Sequence, residues 1–166
     1  MSPLSLSPLR LAPDDIAEVV GIYTSNPEYG RTSGEYDPAR IQAQQVEAGL
    51  REDTGAGGFD VLLARDAEGQ VAGLVSILRQ HPRDGYPWIG LLMVHGDQHR
   101  KGHGRLLANL AVERLRSQGR NGVRLAVLEN NPAALAFWSS LGWQETGRRP
   151  DAQHGRPCIV MHKQLT

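Results

Sequence analysis

The chain has very little cysteine, with Cys158 as its only thiol in 166 residues. One thiol can form neither an intramolecular disulfide nor a four-thiolate zinc site. Long apolar runs are also missing, since no stretch approaches the roughly 18–20 apolar residues that cross a bilayer. Residues 1–10 lack the charged and then apolar segments of a signal peptide. We therefore expect a cytoplasmic protein.

An excess of either charge is likewise absent, because 18 Lys and Arg balance 18 Asp and Glu. Without a global field, the sequence does not favour nucleic acid or a membrane as a partner. Any anion must be bound by a local group of residues. Apolar residues make up 40% and charged residues 22%, as in ordinary globular domains. The length predicts one domain over residues 1–166.

The first third of the chain predicts a strand, two helices and a loop. Pro13 and Asp14 open a helix whose apolar residues recur at i, i+3, i+4 and i+7. The other predicted elements are a short strand at residues 9–11, a polar loop over 26–37 and a weaker helix over 38–51. The apolar face of the first helix consists of Ile16, Val19, Val20 and Tyr23.

The rest of the chain alternates between strand and helix patterns. Residues 88–94 are apolar on both sides, as in a strand at the centre of a sheet, and Gly90 within it predicts a bulge or a close backbone approach. The whole order is β-α-α-β-β-β-α-β-α-β-β, which predicts a mixed sheet flanked by helices. The remaining elements are strands at 59–65, 70–79, 123–128, 143–148 and 158–165, and helices at 104–118 and after Asn131-Pro132.

The segment 94–107 carries the strongest chemical signal. A buried strand runs into a turn with glycines at 102 and 104, and a helix follows at once. The first N–H groups of a helix have no intrahelical partner and lie at its positive end, and glycines let a diphosphate approach them. A plain strand-to-helix connection is the alternative interpretation. Three cationic side chains stand by this turn: Arg100, Lys101 and Arg105.

Together with residues 123–143, this segment resembles the GNAT acetyltransferase superfamily. The turn at 102–104 is similar to that family's pyrophosphate motif, and the strand at 123–128 to the strand that diverges to admit pantetheine. Residues 131–143 look like its Asn-x-x-Ala helix ending in Gly and an aromatic residue. The strong part of the resemblance runs from Trp88 to Trp143.

The resemblance implies a mixed α/β (α+β) fold, with a splayed sheet of about seven strands and about four helices. It also implies an N-acetyltransferase in which an amine directly attacks acetyl-CoA, with no metal. We expect the partner to be a small-molecule or peptide amine and the chain to be a monomer or homodimer. Main-chain amides of Met93 and Val94 would face the developing oxyanion. The implied coenzyme contacts are Leu92, Met93, Val94, His99, Arg100, Lys101, Gly102, His103, Gly104, Arg105, Asn131, Ala134, Phe137 and Trp138.

Some residues depart from the family pattern. Trp138 stands where many members have a Tyr that protonates the leaving thiolate, and an indole N–H is not an acid. His99 and His103 also replace the usual residues of the turn. The strand before the turn has no carboxylate, so we expect the general base to be His81 or Glu35. Further candidates for this role are Asp84 and His154.

Two alternatives to the enzyme stay open from the sequence alone. The missing acid fits a non-catalytic acyl-CoA sensor or interaction module. The turn alone fits a nucleotide- or phosphate-binding domain. If the chain is the enzyme, we expect the loops at 26–37 and 150–157 to shape its acceptor pocket. His95, His99 and His103 recur every four residues, but they fall in a turn and do not predict a metal site.

Overall fold

A computed structural model describes residues 3–33, 36–37, 39–99, 101–151 and 155–165. These residues form seven strands, five α-helices and one 3-10 turn at Gly96–Gln98. No helix among them combines the length and the apolar composition needed to cross a membrane. In chain order the elements are β1 Ser5–Pro8, α1 Pro13–Thr24, α2 Pro27–Ser33, α3 Ala43–Thr54, β2 Phe59–Arg65, β3 Val71–Leu78, β4 Trp88–Val94, α4 His103–Ser117, β5 Gly122–Leu128, α5 Pro132–Ser140, β6 Gln144–Pro150 and β7 Pro157–Gln164.

The seven strands form one sheet in the order β1-β2-β3-β4-β5-β7-β6. Strands β4 and β5 pair in parallel, whereas the other neighbouring pairs are antiparallel. The predicted mixed α/β sheet is therefore confirmed. Its single parallel pair lies at the centre, where α4 connects the two strands.

Helices cover both faces of this sheet, and β2 shows how the chain supplies both cores. Side chains of a strand point alternately to opposite faces. Leu62 therefore packs with α4 and α5, while Val61 and Leu63 pack with α1 and α3. This double burial explains the continuous apolar runs of the central strands.

Most predicted elements match the structure, and the errors lie near the N-terminus. The strand predicted at 9–11 is β1, which ends at Pro8. The loop predicted over 26–37 contains α2, which Pro27 opens. The helix predicted over 38–51 begins only at Ala43, because the side chains and backbones of Gln42 and Gln45 cap each other there.

Candidate active site

The central strands β4 and β5 diverge after a short contact. They pair only at Trp88 with Arg124 and at Ile89 with Leu125. β4 stays paired with β3 and β5 stays paired with β7 over their whole lengths, so the sheet divides between β4 and β5. Beyond Ile89, one edge of β4 therefore faces a V-shaped cleft.

A bulge at Gly90 accompanies this divergence. Ile89 pairs with Ile77 and Leu91 with Ser76, so Gly90 is the extra residue in β4. A Cβ at position 90 would lie 2.7 Å from the Phe59 ring, which is closer than real contacts allow. The bulge predicted from this glycine is confirmed.

Asp84 joins β4 and β5 at the closed end of the cleft. Its carboxylate accepts from the Trp88 indole at 3.2 Å, from Arg124 Nη1 at 3.2 Å and from the Tyr86 amide at 2.9 Å. Burial alone raises the pKa of Asp84, but the bonds from Tyr86 and Trp88 and the nearby positive charge bring its pKa below the usual value. These contacts give Asp84 a structural role.

A cavity of about 310 Å³ fills the cleft. Its walls are mostly apolar and come from β4, β5 and α5, with polar groups where β6 and β7 connect. Such a shape suits a long, largely neutral ligand arm. The lining residues include Leu92, Val127, Asn131, Ala134, Trp138 and Arg156.

The free edge of β4 presents main-chain N–H groups to the cleft. His95 N donates to Ala72 O at 2.8 Å, which fixes the phase of the β3–β4 ladder. Because amides alternate in direction along an antiparallel strand, those of Leu92 and Val94 face away from β3. By the same alternation the amide of Met93 faces β3. The amides available to the oxyanion are therefore those of Leu92 and Val94, and not those of Met93 and Val94 as expected from the sequence.

The carbonyl of Val94 is already engaged. Asn26 Nδ2 donates to it at 2.9 Å and His99 Nε2 at 3.0 Å. The resemblance implied His99 as a coenzyme contact, but its side chain here binds the last carbonyl of β4. The amide of Val94 stays on the cleft side.

The turn after β4 leads into α4, whose N-terminus has no side-chain cap among the described residues. Gly102 is the N-cap of α4 with φ 75° and ψ 9°, a left-handed conformation that favours glycine, and no side chain caps the helix within the described residues. Leu106 N makes the first bond back into the turn, to Gly102 O at 3.2 Å. The amides of residues 103–105 thus have no capping acceptor in the part of the chain that the structure describes.

The side chains around this helix start differ in exposure. Lys101 and Arg105 are exposed, and Arg100 lies outside the described residues. His103 is buried, and its Nδ1 has no hydrogen-bond partner in the described part of the chain. The described residues hold no group of three or more His, Cys, Asp or Glu arranged to bind a metal.

Helix α5 forms the other wall of the cleft. Asn131 caps it by accepting from Ala134 N at 3.1 Å, and both residues line the cavity. Trp138 lines it too, with its ring edge-to-face against Phe137 at 5.0 Å and Trp143 at 5.2 Å. Phe137 lies close to Gly104, 3.5 Å from where a Cβ would stand, and so joins α5 to the start of α4.

The predicted bases lie apart from this wall or outside the described residues. His81 stacks on Trp88 at 4.5 Å, and its Nδ1 accepts from Arg83 N at 3.1 Å. Burial lowers the pKa of His81. Its side chain is not among the described residues that line the cleft. Glu35 and His154 lie outside the described residues.

A second cavity of about 230 Å³ adjoins the first across the bulge of β4. The sequence predicts that the loops at 26–37 and 150–157 shape an acceptor pocket, but it does not single out the residues they contribute. Only the mixed polar composition of these loops points to them. The two cavities share Tyr29, Ser33, Gly90, Leu91 and Arg156.

Comparisons with known proteins agree with this geometry. The family model described as "Acetyltransferase (GNAT) family" matches residues 16–143. The L-methionine sulfoximine/L-methionine sulfone acetyltransferase of Pseudomonas aeruginosa is 29% identical over 139 residues, which are 82% of this chain and 78% of that protein. The protein of the same description from Pseudomonas paraeruginosa is 27% identical over 138 residues, with the same coverage.

Solved structures show the same fold. Spermidine N-acetyltransferase from Vibrio cholerae, in complex with CoA and spermine, has a TM-score of 0.77 at 16% identity, over 98% of this chain and 95% of that one. An acetyltransferase from Thermus thermophilus has a TM-score of 0.78 at 20% identity, over 99% and 100%. The family model covers most of the chain and includes the diverging strands, the turn and α5. The chain therefore belongs to the GNAT acetyltransferase family and is an acyl-CoA-dependent N-acetyltransferase.

Proposed function

We propose that this enzyme binds acetyl-CoA between β4 and β5 and acetylates a small primary amine that enters from the second cavity. The observation that carries this proposal is that three features lie next to one another, since Gly104 at the start of α4 is close to Val94 of β4 and Phe137 of α5. These are the uncapped start of α4, the unpaired edge of β4 and the cavity between the diverging strands. In this arrangement the diphosphate lies against the amides of residues 103–105, and Lys101 and Arg105 add positive charge.

The residues of the cleft fit the remainder of the coenzyme. The N–H groups of Leu92 and Val94 donate to the pantetheine arm and to the thioester carbonyl, while Ala134 and Trp138 pack against the arm. Acetyl-CoA supplies an acyl group already activated as a thioester. An N–H aimed at the developing oxyanion contributes roughly 3–4 kcal/mol in known oxyanion holes.

The acceptor must lose a proton before or during the attack, because an alkylamine has a pKa of about 10. His81 and Glu35 stay as candidate bases, to be tested by substitution. No dedicated acid is required for the leaving group, because a thiolate whose pKa is roughly 8.5 leaves with modest help. A Trp at position 138 is therefore compatible with catalysis.

Both curated relatives are named for small acceptors, L-methionine sulfoximine and L-methionine sulfone. This supports a small amine as the acceptor here, and the modest size of the second cavity agrees with it. We also propose that the enzyme is cytoplasmic, consists of a single domain and is a monomer or homodimer, as expected from the sequence.

A panel of amines with acetyl-CoA, followed by detection of the released thiol, tests the activity. We expect release with at least one small amine. Calorimetry with CoA and ADP tests the binding mode, and we expect CoA to bind far more tightly because pantetheine fills the cleft. Equal affinity for CoA and ADP, or no release with any acceptor, would count against the proposal.

A further inference from the structure

Arg156 lies where the two cavities meet. It lines both of them, and its side chain is one-third exposed. The bulge at Gly90 and Leu91 separates the two spaces on the side of the sheet. A molecule in the second cavity therefore reaches both the guanidinium of Arg156 and the bulged part of β4.

The loop before β7 holds Arg156 in one position. Asp151 Oδ2 accepts from Arg156 Nε at 2.8 Å and from its backbone N at 3.2 Å. Arg156 Nη1 donates to the carbonyl of Ser33 at the end of α2. Asp151 N also donates to Arg156 O at 2.8 Å, and Gly155 turns the loop with φ 66°. Two of these bonds hold the guanidinium and two hold the backbone of Arg156, so the side chain is positioned before any ligand arrives.

These contacts use only part of the guanidinium. Among the described residues, Nη2 has no hydrogen-bond acceptor. Within the described structure three of the five N–H groups remain, two on Nη2 and one on Nη1, and a carboxylate can accept from both nitrogens. The ion pair with Asp151 alone would explain a structural link, but Arg156 also lines both cavities and its side chain is one-third exposed.

Among the described residues, the second cavity has one charged side chain of each sign. These are Asp53 and Arg156, and the other described lining residues are apolar or carry hydroxyl groups and belong to α1, α2, α3, β2, β3 and β4. At about 230 Å³ it lies below the roughly 300–1,000 Å³ of sites for drug-sized ligands. The positive charge of Arg156 would repel a polyamine, and a peptide would be too large for the cavity. A small molecule with a carboxylate for Arg156 and an amine for the thioester fits a cavity of this size.

Building on the proposed function, we propose that the acceptor is a free amino acid, whose carboxylate Arg156 binds while its amine is directed past Gly90 toward the thioester. Arg156 is then a specificity-determining residue. Removing a hydrogen bond to a charged group lowers affinity by roughly tenfold to hundredfold. The amide of the same amino acid keeps the amine and lacks the carboxylate, so it serves as the paired probe.

The test compares amino acids with their C-terminal amides in wild type, Arg156→Gln and Arg156→Lys. Wild type should prefer the acid, and Arg156→Gln should raise the KM for the acid roughly tenfold to hundredfold while kcat/KM for the amide stays within about threefold. Arg156→Lys should lie between them, because it keeps the charge without the fork. Arg148→Gln is the matched control, since Arg148 is also paired with carboxylates but lines neither cavity in the described structure.

Calorimetry of each variant with CoA, together with thermal unfolding, separates this inference from the proposed function. Unchanged CoA affinity and a folded Arg156→Gln protein that no longer prefers the acid would support the role of Arg156. Equal use of acid and amide by wild type, or an equal loss of both in Arg156→Gln, would overturn it. Failure of wild type to bind CoA would instead overturn the proposed function.

Discussion

Replacing Gly102 with Ala is the sharpest perturbation of the turn that precedes α4. Gly102 is the N-cap and has φ 75°. An L-residue held in this left-handed conformation costs roughly 1–2 kcal/mol. The variant therefore either keeps the strain or relaxes the turn and tilts the amides of residues 103 and 104.

Both outcomes have measurable sizes. Strain of about 1–2 kcal/mol lowers the Tm of a domain of this size by roughly 2–8 °C. Loss of one N–H bond to the diphosphate removes about 1.5–3 kcal/mol, which weakens CoA binding roughly tenfold to hundredfold. We expect Gly102→Ala to show a lower Tm and a weaker Kd for CoA by calorimetry.

Gly119→Ala is the matched control. Gly119 has φ 79°, follows the other end of α4 and has no described atom within 4 Å of a Cβ built on it. It should lose a similar amount of stability and bind CoA as wild type does. The reasoning is refuted if Gly102→Ala binds CoA within about threefold of wild type, or if Gly119→Ala weakens CoA binding equally.

Three further predictions concern single side chains. His81→Gln should keep kcat/KM within about threefold because His81 does not line the cleft in the described structure, whereas a loss of a hundredfold or more would identify it as the base. Asp84→Asn should lower Tm at pH 7, and the difference in Tm from wild type should narrow below about pH 4. The pKa of Asp84 is lower in the folded protein than in the unfolded chain. The stability that its carboxylate contributes is therefore complete above the unfolded pKa and is lost as the pH falls through the folded pKa. A constant difference down to pH 2 would contradict this. Cys158 lines the cleft, and burial raises the pKa of its thiol. Iodoacetamide should therefore alkylate Cys158 slowly at pH 7.5, and more slowly still when CoA is bound. Rapid alkylation that CoA does not affect would contradict the location of Cys158 in the cleft.

Periodicity and turn chemistry were enough to predict the central part of the fold. The bounds of β2 and β4 match the prediction because both strands are apolar on two faces and end at polar turns. The bulge at Gly90 and the cap at Asn131 were also predictable, since each depends on one residue with a specific backbone role. The helix α2 was not, because its sequence PEYGRTS carries no apolar period.

The acceptor side of the site was beyond sequence reasoning for a different reason. Arg156 contacts the carbonyl of Ser33 across 123 residues, and Asn26 reaches the carbonyl of Val94 across 68. Such contacts depend on how α2 and the loop before β7 are placed against the sheet, and no local pattern encodes that placement. Sequence reasoning could therefore name the loops but not the side chains.

A crystal structure of the enzyme with CoA tests the central claim most directly. We expect diphosphate oxygens within about 2.7–3.2 Å of the main-chain nitrogens of residues 103–105, with pantetheine between β4 and β5. A diphosphate bound elsewhere, with those nitrogens left in contact with solvent alone, would contradict the account.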